Sequence, residues 1–374
     1  MIREGELKMQ IALTKKLADA MGIKPSPAKE EVDPLLYWTA NWTKVWDNRR
    51  VEDMLVLVNS ATRFTVAIYQ VKRKNLKNVE EMMKNAIKNT LLSLNINPEI
   101  VTEYMDLLGD VEFVRNQDRR AVAWITQSGL HSSFSVAEEY TGHEKVFDDR
   151  VGMNVNHRLV NYTNDFNEAF VPYKVMIKSL TELTGKLAYN YRAFELLLTL
   201  DLEIYKATRR VIVPANFKLK HLHRLMQTVF GWQDYHLHDF TIINPDDPNV
   251  ISRLVPHEDD LEYDSNAVLY ANHTLDEFFP KYNHMIYTYD MGDNWEHNIE
   301  LIQVIENHHE ETPYLLEAEG QTPPEDVGGI PGFLRFYEIM QNPQDPEHDE
   351  VKAWVRYWSP ELFASQKSPS PIRI

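Results

Sequence analysis

Apolar residues recur along this chain with two periods, and each change of period marks an element. Residues 7–22 (LKMQIALTKKLADAMG) read as a short strand or helix ending near Gly22, and the prolines and charges of residues 24–34 mark a loop. Residues 35–69 turn aromatic and β-branched, with MLVLVN and FTVAIYQV reading as two strands joined at Ser60, Ala61 and Thr62. Residues 79–94 carry apolar side chains at helical spacing, stopped by Asn97 and Pro98, and residues 99–109 form a second short helix ending at Gly109. VEFVRN and RAVAWITQ read as strands, and residues 167–185 as a helix with Gly185 as its stop.

Beyond residue 190 the pattern changes. AFELLLTLDLE and TRRVIVPANF alternate and lie close enough to form a hairpin. Residues 218–230 are amphipathic, with Leu219, Leu222, Leu225, Met226 and Val229 on one face and Gly231 at the end. HDFTIIN is a third strand, and the Pro- and acid-rich residues 244–264 are expected to form a mobile insertion. MIYTYDMG and EHNIELIQVIE give two more strands around a Gly292, Asp293, Asn294 turn. Residues 305–329 read as a long acidic loop, PGFLRFYEIMQNP and EVKAWVRYW as two short helices, and residues 366–374 as a loose tail. The pattern predicts an α+β fold in two domains, residues 1–185 (mixed α+β) and 186–365, followed by the tail. The second domain is expected to be a hairpin–helix–strand, β-grasp-like sheet with C-terminal helices.

Charge sharpens this division. The 374 residues carry 39 Lys+Arg and 56 Asp+Glu, for a formal net charge of −17. Residues 1–200 hold 26 basic and 26 acidic side chains, so residues 201–374, with 13 and 30, carry the whole excess. Within residues 251–350 the count is 3 basic against 23 acidic, which repels a nucleic-acid backbone. Any nucleic acid falls to the first half, where Lys72, Arg73, Lys74 and Lys77 form the densest basic run, itself readable as a solvated helix start. The acidic half suits a cation, a basic protein partner or plain solubility. No apolar run approaches the roughly 20 residues of a membrane span, so no membrane partner is expected. The first residues lack a signal-peptide core and cysteine is absent, which excludes disulfides and thiolate metal sites and makes the cytoplasm the expected location.

Several local patterns coincide in the second half: TRRVIVPANFKLKHLHRLMQTVFGWQDYHLHDF, YTYDMGDNWEHNIEL, and TPPEDVGGIPGF followed by YEIMQNPQDPEHDEVKAW. In order and spacing they resemble the plasmid Ri open-reading-frame-three-like family, which includes the passenger protein of a mycobacterial insertion element, over about residues 187–365. The family often has a cysteine just before its Pro-Pro-Glu-Asp, whereas Thr322 stands here, so no thiol ligand is available at that position. In the first half, LTKKLADAMG, YWTANWTKVWDNRRVEDMLVLVNSATRFTVAIY and NHRLVNYTNDFNEAF resemble a small uncharacterised domain sometimes found alone. The resemblance implies an α+β fold and an association with plasmids and mobile elements, but no settled biochemical activity.

Three clusters carry candidate chemistry. Asp290, Asp293, Trp295, Glu296 and His297 surround one tight turn, and strand alternation puts Asp293, Trp295 and His297 on a common face. His236, His238 and Asp239 follow a helix bearing His221 and His223, and His236 and His238 share a face if their segment is extended. Glu325 and Asp326 precede Gly328 and Gly329, whose freedom permits a tight turn that aims the carboxylates at a neighbour. The catalytic candidates are Asp290, Asp293, His297, Glu325 and Asp326; Trp295, His236, His238, Gly328 and Gly329 are candidates for ligand binding. A divalent metal, if held, falls to His236, His238, Asp293 and His297. Imidazole and carboxylate together suit Zn²⁺, Mn²⁺ or Fe²⁺, and carboxylates alone suit Mg²⁺. Ordinary structural roles compete with each: Asp290 as a turn cap, Trp295 as core, His297 bonded to a loop carbonyl. The sequence contains no GxSxG elbow, phosphate-binding loop or GxGxxG. Trp38, Trp42 and Trp46 recur every four residues, an aromatic stripe in a helix that suits core or a protein-binding surface better than base stacking. His308 and His309 sit among glutamates, where metal binding would be adventitious.

Three functions remain open on these residues. The first is a binding or regulatory module acting through a protein partner or small ligand. The second is a metal-dependent hydrolase of a phosphoester or nucleotide, built from His236, His238, Asp290, Asp293, His297, Glu325 and Asp326. The third, a nucleic-acid-binding regulator, is disfavoured by charge. Convergence of those seven side chains separates the first from the second.

Overall fold

Five consecutive buried side chains, Met9 to Leu13, place strand β1 (Met9–Leu13) inside a sheet rather than at its edge. The computed structural model describes residues 9–28, 32–46, 51–139, 149–162, 168–243, 251–262, 264, 266–270, 272–355, 358 and 370–372. The chain divides into two units, Met1–Asn190 and Tyr191–Ile374.

In the first unit β1 leads into α1 (Lys15–Met21), which Thr14 caps at its start and Gly22, at φ 71°, at its end. There follow β2 (Tyr37–Trp46), β3 (Val51–Asn59), β4 (Thr65–Tyr69), α2 (Val79–Ser93), α3 (Pro98–Leu108), β5 (Val111–Arg115), α4 (Arg119–Glu139), α5 (Asp149–Asn156) and α6 (Pro172–Thr184). The sheet order is β4-β3-β2-β1-β5, with β1 parallel to both neighbours and the β2, β3, β4 run antiparallel. Period-two alternation sends Leu55 and Leu57 into one core with α2, α3 and α6, and Met54, Val56 and Val58 into another with α4 and α5. The edge strand β4 is closed by Asn156, which accepts from Thr65 N at 2.7 Å and donates to Thr65 O at 2.8 Å.

Two expectations change here. RAVAWITQ belongs to α4, not to a strand. Its buried positions Ala121, Ile125, Ser128, Ser132 and Ser135 repeat every three or four residues, a period that the first eight residues alone are too short to reveal. The tryptophans at 38, 42 and 46 lie on strand β2 rather than on a helix. Trp38 and Trp42 are core, and Trp38 Nε1 donates to Tyr104 Oη at 3.2 Å. Lys72, Arg73, Lys74 and Lys77 are exposed on the 3-10 turn that enters α2.

The second unit opens with the hairpin β6 (Tyr191–Asp201) and β7 (Lys206–Pro214), then α7 (Leu219–Phe230), β8 (His238–Ile243), β9 (Ile251–Val255) and β10 (Val268–Leu269). After these come β11 (His284–Tyr289), β12 (Trp295–His308), β13 (Tyr314–Glu319), α8 (Gly329–Gln341), α9 (His348–Val355) and β14 (Ser370–Pro371). The strands form one sheet in the order β10-β9-β8-β11-β12-β6-β7-β13-β14, antiparallel except for β9 with β10. Leu219, Leu222, Leu225 and Met226 of α7 pack with Leu196, Leu198 and Tyr287 of the sheet and Phe333 of α8. The mixed α+β character expected from the sequence is present in both units. The expected succession of hairpin, helix and strand is present as β6, β7, α7 and β8, and in the sheet β11 and β12 lie between β8 and that hairpin. Residues 251–255, expected in a mobile insertion, pair as β9 with β8, while residues 244–250 lie outside those described. The acidic loop contains a strand, β13, on β7, and Ser370 and Pro371 of the tail pair with β13. Among the described residues no helix is long and apolar enough to cross a membrane.

Arg209 ties this unit together. It is 1% exposed, and its guanidinium donates to Val229 O at the end of α7 (2.6 Å), Thr208 O (2.8 Å), Glu319 O (2.9 Å) and Gly320 O (3.1 Å). Burial lowers its pKa to about 10, and the Phe230 ring lies 4.9 Å from the charge. Gly320, at φ 75°, permits the approach, since a Cβ there would meet Lys206 O at 2.6 Å. Arg209→Leu removes four hydrogen bonds to these carbonyls and is expected to lower the unfolding free energy by about 3 kcal/mol or more, read from urea denaturation.

Candidate functional site

The turn between β11 and β12, the segment leading into β8, and the segment leading into α8 meet at one end of the second sheet. Asp290, at φ 58°, is a residue type that tolerates the left-handed region. Its Oδ1 accepts from Gly292 N (2.8 Å) and Asp293 N (3.3 Å), its carbonyl accepts from Asn294 N (2.7 Å), and its own N–H donates to Leu237 O (2.9 Å). These bonds fix the turn and leave Oδ2 facing His236.

Four acid–base side chains converge there. His236 Nε2 lies 3.6 Å from Asp290 Oδ2, 3.7 Å from Glu325 Oε2 and 3.2 Å from Asp326 Oδ1. His236, Asp290 and Asp326 each offer one ligand atom within 4.8 Å of the others. Glu325 is anchored through Oε1, which accepts from Gln233 N (2.7 Å) and Tyr289 Oη (3.1 Å), while burial raises its pKa above the usual carboxylate range. Its Oε2 and His236 Nε2 are both buried atoms with no hydrogen-bond partner.

Glycine geometry brings the carboxylates in. Gly328, at φ 92°, donates its N–H to Asp293 Oδ2 at 3.1 Å. Gly329, at φ 64°, packs so closely that a Cβ would meet Asp293 O at 2.7 Å. The neighbour at which Glu325 and Asp326 are aimed is therefore the turn bearing Asp290, and Asp293 is its docking post rather than a member of the cluster.

The remaining candidates lie elsewhere. Trp295 is fully buried, stacked on Trp232 with centroids 5.8 Å apart. His297 is fully buried, with Nδ1 2.9 Å from Trp295 O and Nε2 accepting from Trp232 Nε1 at 3.3 Å. Burial pulls its pKa down to about 4, so it is a neutral core histidine. His238 lies in a second cluster, its ring stacked on His223 with centroids 3.5 Å apart and its Nε2 2.6 Å from Tyr270 Oη. His223 in turn contacts Tyr287 Oη (2.8 Å) and Asp234 (2.9 Å). The expected metal set of His236, His238, Asp293 and His297 is therefore not brought together; of these only His236 joins the carboxylates. Sequence reasoning missed Tyr289, Gln233 and Trp232. The alternating aromatics of YTYD, running straight into Asp290, were the signal for Tyr289.

Residues 192–367 match the plasmid pRiA4b ORF-3-like protein family, and residues 10–175 match a domain of unknown function, DUF6933. An uncharacterised protein, y4hQ of Sinorhizobium fredii (strain NBRC 101917 / NGR234), is 34% identical over 148 residues, covering 39% of this chain and 72% of that protein. The chain belongs to the plasmid pRiA4b ORF-3-like family. A solved structure of a protein of unknown function, MM3350 from Methanosarcina mazei Go1, is 27% identical, covers 46% of this chain and 94% of its own, and gives a TM-score of 0.42. Every residue of the His236 cluster falls within the part matched to the pRiA4b ORF-3-like family. Thr322, the residue before its Pro-Pro-Glu-Asp, is buried beside Arg209 Nη2 (3.4 Å), and its carbonyl accepts from Trp358 Nε1 (2.9 Å).

Two outcomes are expected. Gly329→Ala cannot keep both its backbone angle and the approach to Asp293, so it should destabilise the unit by about 1–3 kcal/mol in chemical denaturation. For His297, the folded pKa of about 4 lies below an unfolded value near 6.5. Its contribution is complete above about pH 6.5 and is lost as pH falls toward 4, by about 3 kcal/mol in all. His238, also lowered by burial, acts in the same direction. Unfolding free energy measured across that interval should fall less steeply in His297→Gln than in the natural chain.

Proposed function

We propose that this protein is a binding module whose second unit recognises a positively charged group in the bowl formed by His236, Asp290, Glu325 and Asp326. The observation that carries the reading is the meeting of three carboxylates around one imidazole, with Glu325 Oε2 and His236 Nε2 buried and making no hydrogen bond. Buried polar atoms without partners are costly, and a cation between them removes the cost for all at once. The charge of residues 251–350, 3 basic against 23 acidic, makes this unit attract cations. Exposed Tyr235, Leu237 and Met291 stand on the segments that supply His236 and Asp290, and offer apolar contact to the body of a ligand or partner. The family's plasmid origin suits a module serving a plasmid or mobile element, and the absence of cysteine suits the reducing cytoplasm.

A metal-assisted hydrolase of a phosphoester or nucleotide is the second reading. Glu325 favours it, since a carboxylate oxygen left unpaired beside a cation site is placed to take a proton from water. The acidic surroundings disfavour a polyanionic substrate.

The test is thermal unfolding of the full chain with arginine methyl ester, ethylammonium, Zn²⁺, Mn²⁺ and Mg²⁺ as chlorides, against choline chloride. At about a hundred times its dissociation constant a ligand adds about 2.7 kcal/mol, several degrees in Tm for a domain of this size. At least one cation should raise Tm saturably, and Asp290→Asn combined with Asp326→Asn should abolish the rise. No response to any cation, or an unchanged response in the double variant, overturns the reading.

A further inference from the structure

We infer that the cation is a divalent transition metal, held by His236 Nε2, Asp290 Oδ2 and Asp326 Oδ1. The inference rests on the cation-binding reading and names the ligand of that site.

The donor set is the first argument. An ammonium or guanidinium group is satisfied by oxygen acceptors alone and has no use for an imidazole at the centre of the bowl. A ring nitrogen among carboxylates is the mixed set that suits Zn²⁺, Mn²⁺ or Co²⁺, whereas Mg²⁺ and Ca²⁺ take oxygen.

Spacing is the second argument. For metal–ligand bonds of about 2.1 Å, two ligand atoms of a tetrahedral site stand about 3.4 Å apart. His236 Nε2 lies 3.6 Å from Asp290 Oδ2 and 3.2 Å from Asp326 Oδ1, close to that edge on both sides.

The third argument is Glu325. Its side chain is 10% exposed, yet Oε2 accepts no hydrogen bond and is directed at His236 Nε2 from 3.7 Å. Three protein ligands leave a fourth tetrahedral position for water, and a carboxylate beside that position receives the water's hydrogen bond. The ligand carbons are also set before any metal arrives: Asp290 is held by its own turn, Asp326 adopts φ 58°, and the His236 ring stands edge-on to Tyr289.

The cluster of His223, Asp234 and His238 has comparable residues but not the same condition. His223 is bonded through both ring nitrogens, His238 through Nε2, and the two rings lie face to face at 6°. Stacked rings direct their nitrogens side by side rather than toward a common point.

The experiment uses the full chain stripped with EDTA and titrated calorimetrically with Zn²⁺, Mn²⁺ and Mg²⁺, and with Co²⁺ followed by visible absorption. Expected are one equivalent of Zn²⁺ or Mn²⁺ per chain, weaker Mg²⁺, and intense tetrahedral Co²⁺ bands. His236→Ala and Asp326→Asn should each weaken binding about tenfold or more. His273→Ala, at a separate exposed pair with Glu277, should not. Asp326 is 69% exposed, so its asparagine variant keeps the fold even if removing His236 does not. Stoichiometric binding that survives both variants overturns the inference by moving the metal elsewhere. No metal binding, with arginine methyl ester still raising Tm, overturns the metal and leaves the cation-binding module standing. No response to metal or organic cation removes both.

Discussion

The second unit depends on one buried charge. Arg209 lies on β7, yet its guanidinium reaches the last turn of α7 and the end of β13. A helix C-terminus carries partial negative charge and unpaired carbonyls, so a cation there answers both. By fixing residues 319 and 320, the same side chain fixes where the following segment starts toward α8. Glu325 and Asp326 sit on that segment, so the geometry of the bowl begins at an arginine that does not touch it.

Much of the architecture was legible because burial imposes a period. β6, β7, α7, β8, β11 and β12 were each readable from alternation or from a helical stripe, and Gly185 and Gly231 end their helices at φ 68° and 77°. The exceptions have identifiable physics. RAVAWITQ is the start of a helix whose inward face is completed by serines, which carry no hydropathy signal. Strand β13 is half-buried along most of its length, with one buried residue, so its acidic residues looked like loop. Arg209, beside Arg210 in TRRV, is indistinguishable in sequence from a solvated strand charge, although one is core and the other pairs with Glu195.

The site was half legible for a related reason. Alternation put Trp295 and His297 on one face of β12 as expected, but not Asp293, which lies in the turn before the strand and bonds Gly328, and period alone does not say which face is inward. His236 and His238 were expected to act together. β8 begins only at His238, so His236 belongs to the preceding loop and turns to a different neighbourhood. The Pro-Pro-Glu-Asp-Val-Gly-Gly segment gave the clearest warning, because paired glycines at positive φ mark a backbone meeting another backbone. Its partner, the Asp290 turn, was the other conspicuous motif in the sequence.

The bowl draws its four side chains from three stretches separated by dozens of residues: one at position 236, one at position 290 and two at positions 325 and 326. It exists only after the sheet has closed, so a chain still assembling offers nothing to bind. An occupant would join the three stretches as a clasp and would have to leave before that end of the sheet could open. Its effect would fall on the lifetime of the folded unit, slowing escape from the native state while leaving the rate of reaching it almost untouched.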